Sequence, residues 1–387
     1  MSVTKEPLFT SRFFLMCGFT FTVFLSAFLL FPTAPFHIKD LGGSTFAAGL
    51  FLAFLTYSSA LFAPFTGSLA DRVGLRRTLV TAGLALTTCS VGYAIIPDFR
   101  AMLGLTIVHG VFWSGLLTAS SAYTTSFLPA SRRAEGIGYW GFSSVAAVAV
   151  APSLGFWIYE YGWMTLCLVT GVLNAAMTLI AWRLPDDHAP PRRPHAAQRG
   201  PVLEWRVLVL SLTLFLYSLA YGGITSFAAM YADANGVTPK AIYLTTLAAA
   251  ILITRPFSGT LADRIGYVRV FVPCLALISV GLSLLAFGGT WTWQVASATV
   301  FGIGFGSAYP IYAAYLLQRI DDTRRGAAFG ALIAGFDTGI GTGSLATGWM
   351  IQHFGYQVAF GAGAAVSALA IPYFFAVRGV LPARAGD

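Results

Sequence analysis

The chain has 387 residues, of which 57% are hydrophobic and only 10% charged, with a formal net charge of +8. Soluble domains carry about 25% charged residues, so this composition excludes an ordinary water-soluble globule and places the chain in lipid. Cys17, Cys89, Cys167 and Cys274 all sit in apolar runs without a CxxC spacing, which excludes a disulfide framework and a thiolate metal site.

Charged residues mark the ends of the apolar runs. In the first half these runs lie between Arg12 and His37, Asp40 and Asp71, Arg77 and Asp98, Arg100 and Arg132 (interrupted by His109), Glu135 and Glu160, and Glu160 and Arg183. A polar, Pro-rich stretch over 185–204 follows, too short for a folded catalytic module. The second half runs from Arg206 to Asp233, Lys240 to Asp263, Arg269 to Arg319 and Arg325 to Arg378. A crossing helix takes about 20 apolar residues. The 49 uncharged residues after Arg269 therefore make two helices, turning near Gly288-Gly289, and the last run makes two more, turning near His353-Phe354-Gly355. The prediction is an all-α membrane protein of twelve transmembrane helices: a six-helix bundle over 1–184, a linker over 185–204 and a second six-helix bundle over 205–387. The first apolar run is too long for a cleaved leader and is expected to remain as helix 1.

The two halves are copies. Gly67-Ser68-Leu69-Ala70-Asp71-Arg72-Val73-Gly74 returns 192 residues later as Gly259-Thr260-Leu261-Ala262-Asp263-Arg264-Ile265-Gly266. The same offset maps Pro64 onto Pro256, Gly110 onto Gly302, Arg132-Arg133 onto Arg324-Arg325 and Gly138 onto Gly330. A constant offset over about 75 residues marks internal duplication, and duplicated membrane bundles are the architecture of secondary transporters.

Basic residues set the orientation. With the N-terminus cytoplasmic, only Lys39, Arg100 and Lys240 of the 23 Lys and Arg fall outside, Arg255 falls within a span, and the remaining 19 fall inside. Both termini and the linker are expected in the cytoplasm. The positive balance is thus a topology signal rather than a nucleic-acid surface.

The Gly-x-Leu-Ala-Asp-Arg-x-Gly loop between spans 2 and 3, completed by Arg76 and Arg77, resembles the cytoplasmic loop motif of the major facilitator superfamily. In the second copy Tyr267 and Val268 stand where the basic pair is expected and only Arg269 remains. The likeness extends over the whole chain in its twelve spans, duplicated halves and central linker. It implies that Gly67, Asp71, Arg72, Gly74, Arg76 and Arg77, with Gly259, Asp263, Arg264 and Gly266, act as a cytoplasmic gating latch. Asp71 and Asp263 sit at helix ends, where a carboxylate caps backbone N–H groups or pairs with a neighbouring Arg. Turn and topology residues are the plainer alternative. Ala149-Val150-Ala151-Pro152-Ser153-Leu154-Gly155 resembles the Gly-Pro helix-bend motif of the superfamily's exporters. There Pro152 and Gly155 match while Ala147 and Ala151 stand in for glycines. Arg132-Arg133-Ala134-Glu135-Gly136-Ile137-Gly138-Tyr139 resembles the drug- and sugar-efflux (arabinose-efflux-like) branch.

Polar groups at bilayer depth are costly and usually functional. Arg255 lies eight residues before Asp263, Asp337 twelve after Arg325 and His109 nine after Arg100. At 1.5 Å per residue these are depths of roughly 12, 18 and 14 Å. The copies carry Ala63, Val145 and Phe301 at the matching positions, so the fold does not need these charges. Span 1 has no acidic residue, and Thr106 stands where proton-driven exporters of the family carry an Arg. Asp337 is therefore expected to carry the coupling proton, with Arg255 as its electrostatic partner and His109 as the second candidate. A structural ion pair is the alternative. Family helices that line the pore hold Trp113, Tyr123, Tyr139, Trp140, Tyr217, Tyr221, Tyr309 and Tyr312, the candidate substrate cavity.

No P-loop, GxSxG, HExxH or paired-carboxylate site occurs, so neither an enzyme nor a cofactor or metal is expected. The reading is a multi-pass transporter of the cell inner membrane, functional as a monomer, exporting a small amphipathic organic compound by alternating access against protons. Uptake by symport, a lipid flippase and a non-transporting membrane sensor are the rivals, and sodium coupling or uniport is the alternative to a proton-driven cycle. The topology has a direct test: His195→Cys in a cysteine-free background should react with an impermeant thiol reagent only after the cells are opened, and labelling of intact cells would reverse the orientation.

Overall fold

The computed structural model describes residues 7–129, 132–186, 205–319 and 325–380. The termini and nearly all of the 185–204 linker lie outside the described residues. A chain in lipid must satisfy its backbone N–H and C=O groups internally, and uncharged runs of this length do so as helices. In order these are α1 (Ser11–Leu30), α2 (Ala34–Asp40), α3 (Thr45–Val73), α4 (Leu75–Ile95), α5 (Phe99–Phe127), α6 (Arg133–Tyr159), α7 (Trp163–Arg183), α8 (Trp205–Ala234), α9 (Ile242–Ile265), α10 (Tyr267–Phe287), α11 (Trp291–Leu317) and α12 (Arg325–Val377). Among the described residues there is no strand.

Among the described residues, ten stretches are long and apolar enough to cross a membrane. The first, Ser11–Asp40, joins α1 and α2, and the last, Ala331–Val380, holds two helices divided at Gly355 (φ 82°, ψ 173°). The helix left out of the ten is α11, whose 27 residues include Gln294 and several serines, tyrosines and glycines.

The duplication reaches the backbone. Gly74 closes α3 at φ 102°, ψ 141° and Gly266 closes α9 at φ 99°, ψ 143°. An L-residue is strained at such a φ, so both copies of the motif need glycine there. Pro64 and Pro256 lie inside α3 and α9 at the matching offset.

The chain divides into two compact units. Unit 1 is Met1–Leu30 with Leu61–Gln198, and unit 2 is Phe31–Ala60 with Arg199–Asp387. Within unit 1, α6 presses on α1: a Cβ added to Gly155 would lie 2.9 Å from the Leu29 carbonyl oxygen, and Trp140 Nε1 donates to Thr20 Oγ1 at 2.7 Å. The contact of α4 with α7 is polar at its centre, where Asn174 Nδ2 donates to Ser90 Oγ at 3.0 Å and to the Leu86 carbonyl at 3.3 Å.

Unit 2 is organised around the first part of α12. Gly335, Gly339 and Gly343 recur every fourth residue and meet the backbone of Ser211, Phe215 and Leu219, which recur every fourth residue along α8. A Cβ on Gly335 would lie 2.9 Å from the Ser211 carbonyl oxygen, one on Gly339 2.6 Å from that of Phe215, and one on Gly343 would land on that of Leu219. Small residues of this spacing let two helix backbones approach where lipid supplies no hydrophobic drive. Another side of α12 meets residues 31–60. Ser344 Oγ donates to the Gly49 carbonyl at 2.9 Å and contacts Ser226 Oγ at 2.7 Å, which ties α3, α12 and α8 together. Tyr57 Oη and Thr342 Oγ1 lie 2.8 Å apart, and the Phe46 N–H donates to Gln352 Oε1 at 3.0 Å.

Gly343→Ala should therefore cost about 1–3 kcal/mol by overpacking and lower the melting temperature in detergent. Gly104→Ala, where an added Cβ meets nothing within 4 Å, should be neutral or stabilising by up to about 1 kcal/mol. Equal melting temperatures for the two variants would disprove the close α8–α12 approach.

Candidate functional site

The span-depth charges of the second half fall on two helices of unit 2. Arg255 lies on α9 and Asp337 on α12, both half-buried. Among the described residues they form no ion pair with each other or with any other side chain. Gly302 and Gly306 of α11 press on Leu247, Ala250 and Ile251 of α9, a register that one turn further brings Tyr309 level with Arg255. The register of Asp337 follows from the glycine ladder, because it sits between Gly335 and Gly339, whose backbones are pressed against α8.

Aromatic rings surround this group. Phe336, next to Asp337, packs on Tyr309 at 5.1 Å and on Tyr217 at 6.3 Å between centroids. Tyr221 stacks on Phe305 at 4.3 Å, and Phe305 also meets Phe336 at 5.9 Å. Tyr221 and Tyr309 are half-buried. Tyr217 is fully buried, and its hydroxyl has no hydrogen-bond partner among the described residues. Tyr312 is a packing residue: it stacks on Phe271 at 4.7 Å and its hydroxyl donates to the Leu210 carbonyl at 2.6 Å.

The unit 1 candidates form a separate group. His109 is buried on α5, with Nδ1 3.2 Å from Tyr93 Oη on α4. Tyr93 Oη donates to Thr106 Oγ1 at 3.2 Å, and Thr106 donates to the Met102 carbonyl at 2.9 Å. Trp113 meets the His109 ring at 6.5 Å and Phe24 at 5.8 Å. Tyr123 is 1% exposed, lies under the Arg12 guanidinium at 5.8 Å and donates to the Pro185 carbonyl at 3.1 Å. Trp140 is half-buried against α1, and Tyr139 is 51% exposed beside Phe9. The structure thus brings Arg255, Asp337, Tyr309, Tyr217 and Tyr221 into one neighbourhood and gives Tyr123 and Tyr312 backbone anchors. In the helix-bend stretch, Pro152 is buried inside α6 and Gly155 faces Leu29.

The two loop motifs share a backbone but differ in wiring. Asp71, Arg72, Asp263 and Arg264 are all exposed near the ends of α3 and α9, and Gly67 and Gly259 lie one turn earlier. Arg76, a neighbouring Arg with which Asp71 could pair, instead binds Asp186 and the Trp182 carbonyl. The C-terminal end of α7 attracts a cation through its unsatisfied carbonyls, and Asp186 adds a full negative charge. Arg77 is exposed. In the second copy Tyr267 donates to Asp263 Oδ1 at 2.7 Å and accepts from Gln318 Nε2 at 2.9 Å. A neutral tyrosine there supplies the carboxylate's donor in place of a cation.

Sequence reasoning overlooked Thr342, Ser344 and Tyr57 as contact residues between α12 and α3. The dense run Gly339-Ile340-Gly341-Thr342-Gly343-Ser344 carried the signal, since small residues on two sides of one helix imply two close neighbours.

A helical membrane bundle built from two copies of one loop motif, with isolated charges at span depth, has the form of a solute carrier. The sequence matches the Major Facilitator Superfamily over residues 16–251 and 210–386, and the chain belongs to that family of transporters. It is 26% identical over 349 residues to the multi-drug resistance efflux pump PmrA of Streptococcus pneumoniae serotype 4, covering 86% of this chain and 87% of that protein. A chloramphenicol resistance protein of Pseudomonas aeruginosa is 28% identical over 321 residues, covering 77% and 74%. The MFS-type transporter YhhS of Escherichia coli K12 is 25% identical over 377 residues, covering 91% and 89%. Among solved structures, the nucleoside transporter NupG superposes with a TM-score of 0.76 at 16% identity, covering 95% of this chain and 99% of that one, which shows the shared fold.

Arg76→Gln should lower the melting temperature by removing the tie to α7, an effect of about 1–2 kcal/mol for a partly exposed pair plus one charged hydrogen bond. Arg77→Gln should leave it unchanged. Indistinguishable melting curves would remove Arg76 from its anchoring role.

Proposed function

We propose that this transporter is a proton-coupled exporter of a small amphipathic organic compound, acting as a monomer in the cell inner membrane with both termini cytoplasmic. Two six-helix halves, 1–184 and 205–387, alternate access to the substrate, and the 185–204 linker joins them. Asp337 carries the proton, Arg255 is its changing electrostatic partner, and His109 is a second protonation site in the other half. Tyr221 and Tyr309 face the substrate.

The observation behind the reading is Asp337 itself. It is a carboxylate at bilayer depth without a paired cation among the described residues. A lone charge at that depth needs a counter-charge, and a proton is the smallest one that can be taken up and released in a cycle. Arg255 on a different helix supplies a charge whose distance can change as the helices move. The loop residues Asp71 and Asp263 bias the two states, since helix-end interactions contribute roughly 0.3–2 kcal/mol, comparable to gaps of a few kcal/mol between conformers. Relatives named as a multi-drug efflux pump and a chloramphenicol resistance protein support the outward direction.

Reconstituted liposomes with an imposed pH gradient test the assignment, using a compound chosen by thermal stabilisation of the purified protein. Asp337→Asn should retain some binding of that compound, and at concentrations that saturate the variant it should lose gradient-driven accumulation at least tenfold. Undiminished accumulation by Asp337→Asn would remove it from the coupling role.

A further inference from the structure

Two opposite charges stand at span depth in unit 2 without neutralising each other. Arg255 and Asp337 are each half-buried, and neither takes part in an ion pair among the described residues. Tyr309 is level with Arg255 in the register of α9 on α11, and it packs on Phe336, the chain neighbour of Asp337. Phe336 on Tyr309 and Phe305 on Tyr221 add aromatic surface, and the buried Tyr217 hydroxyl beside Phe336 has no partner among the described residues.

Isolated charges in an apolar medium are expensive, and removing one member of a balanced set leaves the other uncompensated. A direct salt bridge would relieve both groups, but the structure does not make one. A cationic solute would satisfy Asp337 and leave Arg255; an anionic solute would do the reverse. While Asp337 is ionised, only a solute with both charges relieves both at once.

We infer that the site takes a zwitterionic solute, its cation on Asp337, its anion on Arg255 and an aromatic or apolar body between them along Tyr309, Phe336 and Tyr221. This rests on the exporter reading and gives it a substrate class.

The test uses the purified full chain and four compounds on one scaffold: 4-(2-aminoethyl)benzoic acid, its methyl ester, its N-acetyl derivative and the N-acetyl methyl ester. At neutral pH these are zwitterion, cation, anion and neutral form. Titrations read by thermal unfolding should show the zwitterion binding at least tenfold more tightly than either singly charged form. Asp337→Asn should shift the preference to the anion and Arg255→Gln to the cation, each weakening the zwitterion at least tenfold. The inference is overturned if a singly charged form binds the wild-type chain as tightly as the zwitterion. It is overturned equally if the variants keep the wild-type order, or if none of the four stabilises the protein up to its solubility limit. Because the wild-type comparison needs no variant, a misfolded mutant does not rescue the idea. Proton-driven accumulation is read separately: loss of the binding order with coupling intact overturns only this inference, and loss of coupling with the order intact overturns only the exporter reading.

Discussion

Lipid offers the backbone no hydrogen-bond partner, and most of this structure follows from that constraint. Helices are the answer for each segment. Lipid tails are as apolar as leucine, so burial of hydrophobic side chains does little to bring helices together. Contact must come from close backbone approach and from shared hydrogen bonds. Unit 2 uses both on one helix. The ladder Gly335, Gly339 and Gly343 sets α12 against α8, while Ser344 and Thr342 reach residues of α3. A tight fit of this kind fixes side-chain register to within a fraction of a turn, and Asp337 takes its position from it.

The fold was legible because its signals are collective. Composition, the charged ends of the runs and the offset of 192 residues all average over many positions. Local wiring was less legible. The sequence shows Asp71 and Arg76 five residues apart, but not the end of α7 that competes for the guanidinium. Tyr267 in the second motif reads as a loss until its hydroxyl is seen on Asp263. Tyr123 and Tyr312 look like cavity residues from their helices alone, and only the carbonyls of Pro185 and Leu210 explain where their hydroxyls go. Such contacts join residues 62 and 102 positions apart, beyond any local periodicity.

The two halves show how a duplicated chain diverges. Gly74 and Gly266 keep nearly the same backbone angles, because a positive φ leaves little choice of residue. Side chains around them were free to change, provided each carboxylate kept a donor or access to water. Arg255 and Asp337 have uncharged counterparts at Ala63 and Val145, so one half carries the charges and the other builds matching helices without them.

The chain of hydrogen bonds on His109 has a directional consequence. Thr106 has a single hydroxyl hydrogen and gives it to the Met102 carbonyl. Its oxygen must then accept from Tyr93, and the Tyr93 oxygen is left to accept in turn. The neutral imidazole therefore carries its hydrogen on Nδ1 and its lone pair on Nε2. A proton arriving at Nε2 would find every bond in the chain already pointing the right way, so the ring can change charge without a single hydroxyl having to turn.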